Sequence, residues 1–271
     1  MANIDLITYI AEGSAPYAEF LKKTAKAFRS GKHTINWRFM VSGNTNIFPQ
    51  GFEYIGRTKQ ERISSSYNHS IAVNKSLGYI KSEYAVIIDA DIALLYRGWD
   101  DVIVNELDTG ISCFGFNRPR ENFPSVFLFS FKKDLLNKVV LDFRPKVSLH
   151  EESVERYYID SEIEAQYRHS HIKGLVKCDT GWKLPMILKG DGKCMDCVLS
   201  KNPLHQLPFS SAGQKRICLK KSEHMCEWHY NGKIFGTHKQ ASRAHRIDGF
   251  YGRIWRKRIN MYIKNEYGFT L

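Results

Sequence analysis

The feature that most constrains this chain is a pair of strands that are apolar along nearly their whole length. Ile4–Ile10 reads IDLITYI and Tyr84–Ile88 reads YAVII. A strand wetted on one side alternates apolar and polar residues. Continuous apolar runs belong to strands covered on both faces, as in a parallel sheet flanked by helices. The second run stops at Asp89 and Asp91, two carboxylates separated by a single alanine. In such sheets ligands gather beyond the carboxyl ends of the strands. Two like charges there need relief, from a shared proton, a cationic side chain or a divalent cation. Alone, an Asp-x-Asp step can equally be a helix cap or a turn.

The segments between these runs fit the same plan. In Ser14–Phe28, Ser14 can cap, Pro16 suits a first turn, and Tyr17, Phe20, Leu21, Ala25 and Phe28 share one helical face. Asn36–Val41 alternates as a strand and Phe52–Ile55 reads as a short one. Ile63–Ile80 reads as a helix with Ile63, Tyr67, Ile71, Asn74 and Leu77 near one face. Trp99–Leu107 is a predicted helix, and Ile111–Phe116 and Ser125–Phe131 are predicted strands. Ser161 with Glu164 forms a capping box that predicts a helix from about Glu162, closed by Gly174. This order predicts an α/β fold with a mostly parallel sheet flanked by helices.

Hard cations such as Mg2+ or Mn2+ favour carboxylate oxygens and keep substrate phosphates as further ligands. An Asp-x-Asp strand end is therefore suited to holding a nucleoside diphosphate. Residues Tyr67–Leu94, YNHSIAVNKSLGYIKSEYAVIIDADIAL, resemble the nucleotide-sugar half of GT-A-fold glycosyltransferases. They are most similar to the large inverting family-two type, typified by bacterial polysaccharide synthesis enzymes. Asn68, Glu83–Tyr84 and Asp89–Asp91 carry the match. The resemblance implies that Asp91 binds the metal with the diphosphate, and that Asp89 lies toward the ribose or joins the metal. It extends to LITYIAEG, where Thr8, Tyr9 and Glu12 would receive the nucleobase, although Tyr9 reads equally well as a core aromatic.

In IDSEIEAQYR, Asp160, Glu162 and Ile163 match the family's acidic helix start, which makes Asp160 the implied general base. Ile159 stands where the family has another acid, and this departure leaves a retaining reaction open. In IFGTHKQASR, His238 matches a late metal ligand, and Lys239 and Arg243 would hold the diphosphate. The resemblance covers about residues 3–178 and 230–245.

Cys194, Cys197, Cys218, Cys226 and His229 lie outside it. Their C-x2-C-x20-C-x7-C-x2-H spacing is compatible with a structural zinc, or with free buried thiols. The expected division is a nucleotide-sugar-binding and catalytic core over 1–178, a Cys-rich insertion over 179–230, and a core-completing strand with a basic helical tail over 231–271. The formal net charge of +12 favours an anionic partner. In the tail, Arg253, Arg256, Lys257, Arg258 and Lys264 interleave with Ile254, Trp255, Ile259 and Tyr262. Such a helix packs its apolar side on the core or rests on an anionic membrane.

Together these features predict a metal-dependent glycosyltransferase with a UDP-sugar donor, a hydroxyl acceptor on a glycan or lipid, and inversion at the sugar. A nucleotidyltransferase is the competing enzyme, but YIAEGSAPY lacks the basic Gly-rich loop expected of one. A zinc-containing nucleic-acid-binding protein is the competing binder. The N-terminus lacks a basic leader and no long apolar run occurs, so the expected location is cytoplasmic, with peripheral membrane contact through the tail.

Overall fold

The computed structural model describes residues 1–61, 64–117, 122–151, 154–158, 174–198, 226–239 and 247–271. Its centre is a mixed α/β layer. Strands β1 (Asn3–Ile10), β2 (Thr34–Ser42), β3 (Glu53–Thr58), β4 (Tyr84–Ile88), β6 (Cys113–Asn117), β7 (Pro124–Lys132) and β11 (Gly192–Val198) form a seven-strand sheet in the order β3-β2-β1-β4-β7-β6-β11. Only β7 runs against the others. The sheet continues through β12 (Cys226–Tyr230), β13 (Lys233–His238) and the three-residue β5 (Ile92–Leu94) as an antiparallel ladder. A separate three-strand sheet joins β8 (Lys146–Glu151), β9 (Val154–Tyr158) and β10 (Gly174–Cys178).

The apolar runs are covered on both faces, as their composition predicts. Leu6, Ile10, Val86 and Ile88 pack toward helices α1 (Ala15–Phe28), α3 (Trp99–Asp108) and α6 (Phe250–Tyr267). Ile7, Tyr9, Ala85 and Ile87 pack toward α2 (Ser65–Leu77) and the short helices α4 (Leu135–Lys138) and α5 (Leu184–Ile187). The period of two along each strand feeds both cores. Trp99 is fully buried and its indole N–H donates to the Ala25 carbonyl at 2.9 Å, tying α3 to α1. The bottom of the sheet is closed by Asp5. This buried carboxylate accepts from Arg38 Nη1, Asn36, the Ser82 hydroxyl and the Lys81 and Ser82 amides.

Two local expectations need correction. Ser14 stands at the α1 N-cap without capping it; its hydroxyl and the Ala11 backbone bond each other at 2.7 and 2.8 Å. The buried face of α2 is Asn68, Ser70, Ala72, Val73 and Ser76, not the face of Tyr67, Ile71 and Leu77. Small residues let this helix sit close to the sheet. Its buried hydroxyls are satisfied locally, with Ser70 donating to Tyr67 O and Ser76 to Val73 O, both at 2.7 Å. Close approach recurs at Gly115, where a Cβ would lie 1.9 Å from the Leu128 carbonyl oxygen of β7.

The tail helix α6 spends its apolar side on the core. Trp255, Ile259 and Ile263 are fully buried, while Arg253, Lys257 and Lys264 face out. No helix among the described residues is long and apolar enough to cross a membrane. The Cys-rich stretch contributes β11 and β12, both strands of the central layer. The predicted helix from Glu162 lies outside the described residues.

Candidate metal centre

The site forms where β4 ends. The chain leaves Ile88, turns with the Ile92 amide donating to the Asp89 carbonyl, and enters β5. β5 pairs with β13, so that Ile92 lies opposite His238. The Lys239 amide donates to the Asp91 carbonyl at 2.9 Å and locks the two segments together. Residues 147 positions apart thereby meet: His238 Nε2 is hydrogen-bonded to Asp91 Oδ1 at 3.0 Å and lies 3.9 Å from Asp89 Oδ2. Ligand atoms of Asp89, Asp91 and His238 all fall within 4.8 Å of one another. This is the sole group of three or more His, Cys, Asp or Glu side chains so arranged among the described residues.

The surroundings make this a strained set of charges. Asp91 and His238 are only 6% and 4% exposed. Burial is the main influence on Asp89 and, with Asp91 beside it, outweighs the nearby histidines, so its pKa is raised. For His238 burial opposes the charged form, but the Asp91 carboxylate and then Asp89 prevail and raise its pKa. Phe127 packs on the His238 ring at 4.7 Å between centroids and keeps water from that side. Lys239 is fully buried, and burial lowers its pKa despite the attraction of Asp91. Two carboxylate oxygens and one imidazole nitrogen, converging in a largely buried recess, are a donor set suited to Mn2+ or Mg2+.

His69 on α2 is a member of this neighbourhood that the sequence did not reveal. Its Nε2 lies 3.3 Å from Asp89 Oδ1 and is buried without a hydrogen-bond partner. The Tyr9 ring meets its face edge-on at 5.0 Å. A histidine one residue past Asn68 belongs to no spacing pattern, so only the packing of α2 on the sheet beside Asp89 reveals it.

The other predicted site residues take separate positions. Tyr9 is buried beneath α2 and its hydroxyl donates to Ser76 Oγ at 2.8 Å. Thr8 lies beside Ile88 in register, with its hydroxyl buried and without a partner. Glu12 is exposed in the turn after β1. Asn68 is buried, and its side-chain amide accepts from the Glu61 amide and donates to the Glu61 and Ser64 carbonyls. Asp160 and Arg243 lie outside the described residues, as does Cys218.

Among the described residues, the cysteines and His229 of the zinc-compatible spacing form no cluster of three ligands. Cys194 and Cys197 share the extended strand β11 at an odd separation, so they project to opposite faces. Cys197 instead neighbours Cys226 on β12, which holds the Cys197 thiol below its ordinary pKa by a hydrogen bond. His229 pairs with Glu227 at 3.3 Å.

No protein-family profile and no curated protein matches the chain. Among solved structures, a mannosyltransferase from Pyrobaculum calidifontis in complex with GDP-Man and Mn2+ aligns at 19% identity and a TM-score of 0.40. The alignment covers 52% of this chain and 47% of that one, about half of each.

Proposed function

We propose that the protein is a metal-dependent glycosyltransferase. It would take a nucleoside-diphosphate sugar, with UDP as the nucleotide, and transfer the sugar with inversion to a hydroxyl of a glycan or lipid-linked acceptor. The observation that carries this reading is the buried Asp89–Asp91–His238 cluster at the carboxyl edge of the parallel strands. There the two carboxylates and the imidazole would hold Mn2+ or Mg2+. A bound ion would neutralise charge developing on the leaving diphosphate. Asp89 and Asp91 fix its place, Phe127 excludes water beside His238, and buried Lys239 supplies further positive character near Asp91.

Asp160 is the proposed base that takes the acceptor proton, a role resting on its resemblance to the family's acidic helix start. Arg243 is proposed to grip the diphosphate on the same ground, with Thr8 and Glu12 toward the nucleobase. Peripheral membrane contact, if the acceptor is lipid-linked, would be electrostatic, because the apolar side of α6 is already packed.

Thermal unfolding with UDP-, GDP-, CMP- and TDP-sugars, each with and without Mn2+, tests the reading. Stabilisation by one sugar nucleotide only in the presence of metal is expected. The absence of any shift would overturn it. Asp160→Asn should keep the shift and lose turnover.

A further inference from the structure

A groove of about 810 Å³ runs between α1 and α6. Five cationic side chains line it, Lys23, Arg253, Arg256, Lys257 and Lys264, against one acidic side chain, Glu19. Glu19 already accepts the Gln50 amide at 3.0 Å. Arg253 donates to the Asp248 carbonyl, and among the described residues none of the five forms a salt bridge. Like charges gathered so closely are unfavourable unless an anion joins them. Two polar atoms of the lining are also buried without partners, Arg256 Nε and Asn260 Oδ1. The first is a ready donor, and the amide of the second, turned over, presents a second donor. Phe20 and Met261 give the groove an apolar wall.

Its position matters as much as its charge. Tyr17 is buried under α6, its ring 6.0 Å from that of Trp255. Burial chiefly pushes its phenol pKa up; Asp91 adds to this and Arg256 opposes it. Tyr17 shares α1 with the groove residues Pro16, Glu19, Phe20 and Lys23.

We propose that this groove is a second binding site, for a phosphate ester. A guanidinium and neighbouring ammonium groups recognise a phosphate by charge-assisted hydrogen bonds, and the volume is that of a small-ligand cleft. That this phosphate ester is the acceptor rests on the glycosyltransferase reading; the binding itself does not. Nucleic acid is disfavoured, because a single-strand site needs exposed aromatic platforms and the Trp255 of α6 is fully buried. The phosphate reaches the groove either on a soluble ester or on a lipid headgroup.

The test uses the full chain without donor or metal. Calorimetric titration with glycerol 3-phosphate probes the soluble source. Sedimentation with phosphatidylcholine vesicles, with and without phosphatidylglycerol, probes the lipid. A random single-stranded oligonucleotide is the competitor. Binding to the first or second probe is expected, weakening by at least about tenfold in the Arg256→Gln, Lys257→Gln double variant. Should that variant misfold, Lys23→Gln with Lys264→Gln, both exposed, serves instead. Binding to neither probe, undiminished binding by a folded variant, or tighter binding of the oligonucleotide would overturn the proposal. Loss of groove binding with an intact Mn2+-dependent sugar-nucleotide shift separates its failure from that of the donor site.

Discussion

Asp89→Asn should stabilise the metal-free protein while costing it the metal. The Asp89 pKa is raised, first by burial and then, against the pull of His69, by Asp91. A carboxyl that is harder to ionise folded than unfolded opposes folding whenever it is charged, so at neutral pH its charge is destabilising. The ligand atoms of the cluster lie within 4.8 Å, where two unit charges at an effective dielectric of ~20 repel by roughly 3 kcal/mol. His69 at 3.3 Å and His238 at 3.9 Å offset much of this. The net gain from an isosteric amide is on the order of 1 kcal/mol, or ~2 °C in Tm for a chain of this size. Mn2+ at about 100 times its Kd would stabilise the parent by about 2.7 kcal/mol, or ~5 °C. Melting curves in EDTA and in Mn2+ should therefore show the variant above the parent without metal and well below it with metal. The metal-free gain should shrink as the pH falls and the parent Asp89 takes up its own proton. A variant that is less stable in EDTA yet shifted as much by Mn2+ would refute the reasoning.

Asp5→Ala removes the buried ion-pair partner of Arg38, which keeps Glu53 and the Tyr79 carbonyl, and leaves the Ser82 and Lys81 amides without their acceptor, so it should cost about 3 kcal/mol in urea unfolding. Burial is the largest single influence on Asp5 and acts upward, but hydrogen bonds from Ser82, Lys81 and Asn36 prevail and lower its pKa below 3.8. Its contribution is therefore present above that pH and lost as the pH falls through the folded value, so Asp5→Asn should flatten the acid limb of a circular-dichroism titration. Gly115→Ala drives a methyl into the Leu128 carbonyl and should lose at least about 3 kcal/mol, or yield insoluble protein. Tyr9→Phe removes the bond to Ser76 and should cost about 1 kcal/mol in Tm measurements while leaving the metal-dependent nucleotide shift in place.

The strands that carry the site were readable because burial on both faces leaves a compositional mark: apart from exposed Asn3 and buried Asp5 and Thr8, β1 and β4 are apolar or aromatic. The first helix was readable for a related reason, since its large apolar residues repeat at the helical period. The face of α2 was not, because serine, alanine and asparagine bury without raising hydrophobicity. Asp89 and Asp91 announce themselves by ending an apolar run. His238 has no such local signal; the resemblance pointed to it, and its meeting with Asp91 depends on the pairing of β5 with β13. The cysteines show the opposite difficulty. Their spacing assumes a loop that can turn both thiols inward, whereas a strand sends neighbours at odd spacing apart. Where strands from distant parts of a chain pair, one-dimensional spacing carries little information about which side chains meet.

The β5–β13 ladder has a consequence for the order in which the protein matures. A nascent chain released only as far as β7 already holds β1–β4, α2 and both aspartates. It lacks the imidazole, and β5 presents an unpaired edge. The third ligand arrives only when β13 zips onto that edge, closing a loop of 147 residues at an entropic cost that grows slowly with length. Cation uptake would thus come late in folding: a chain clipped before Phe235 loses His238, and with it the third ligand, together with the core contribution of α6.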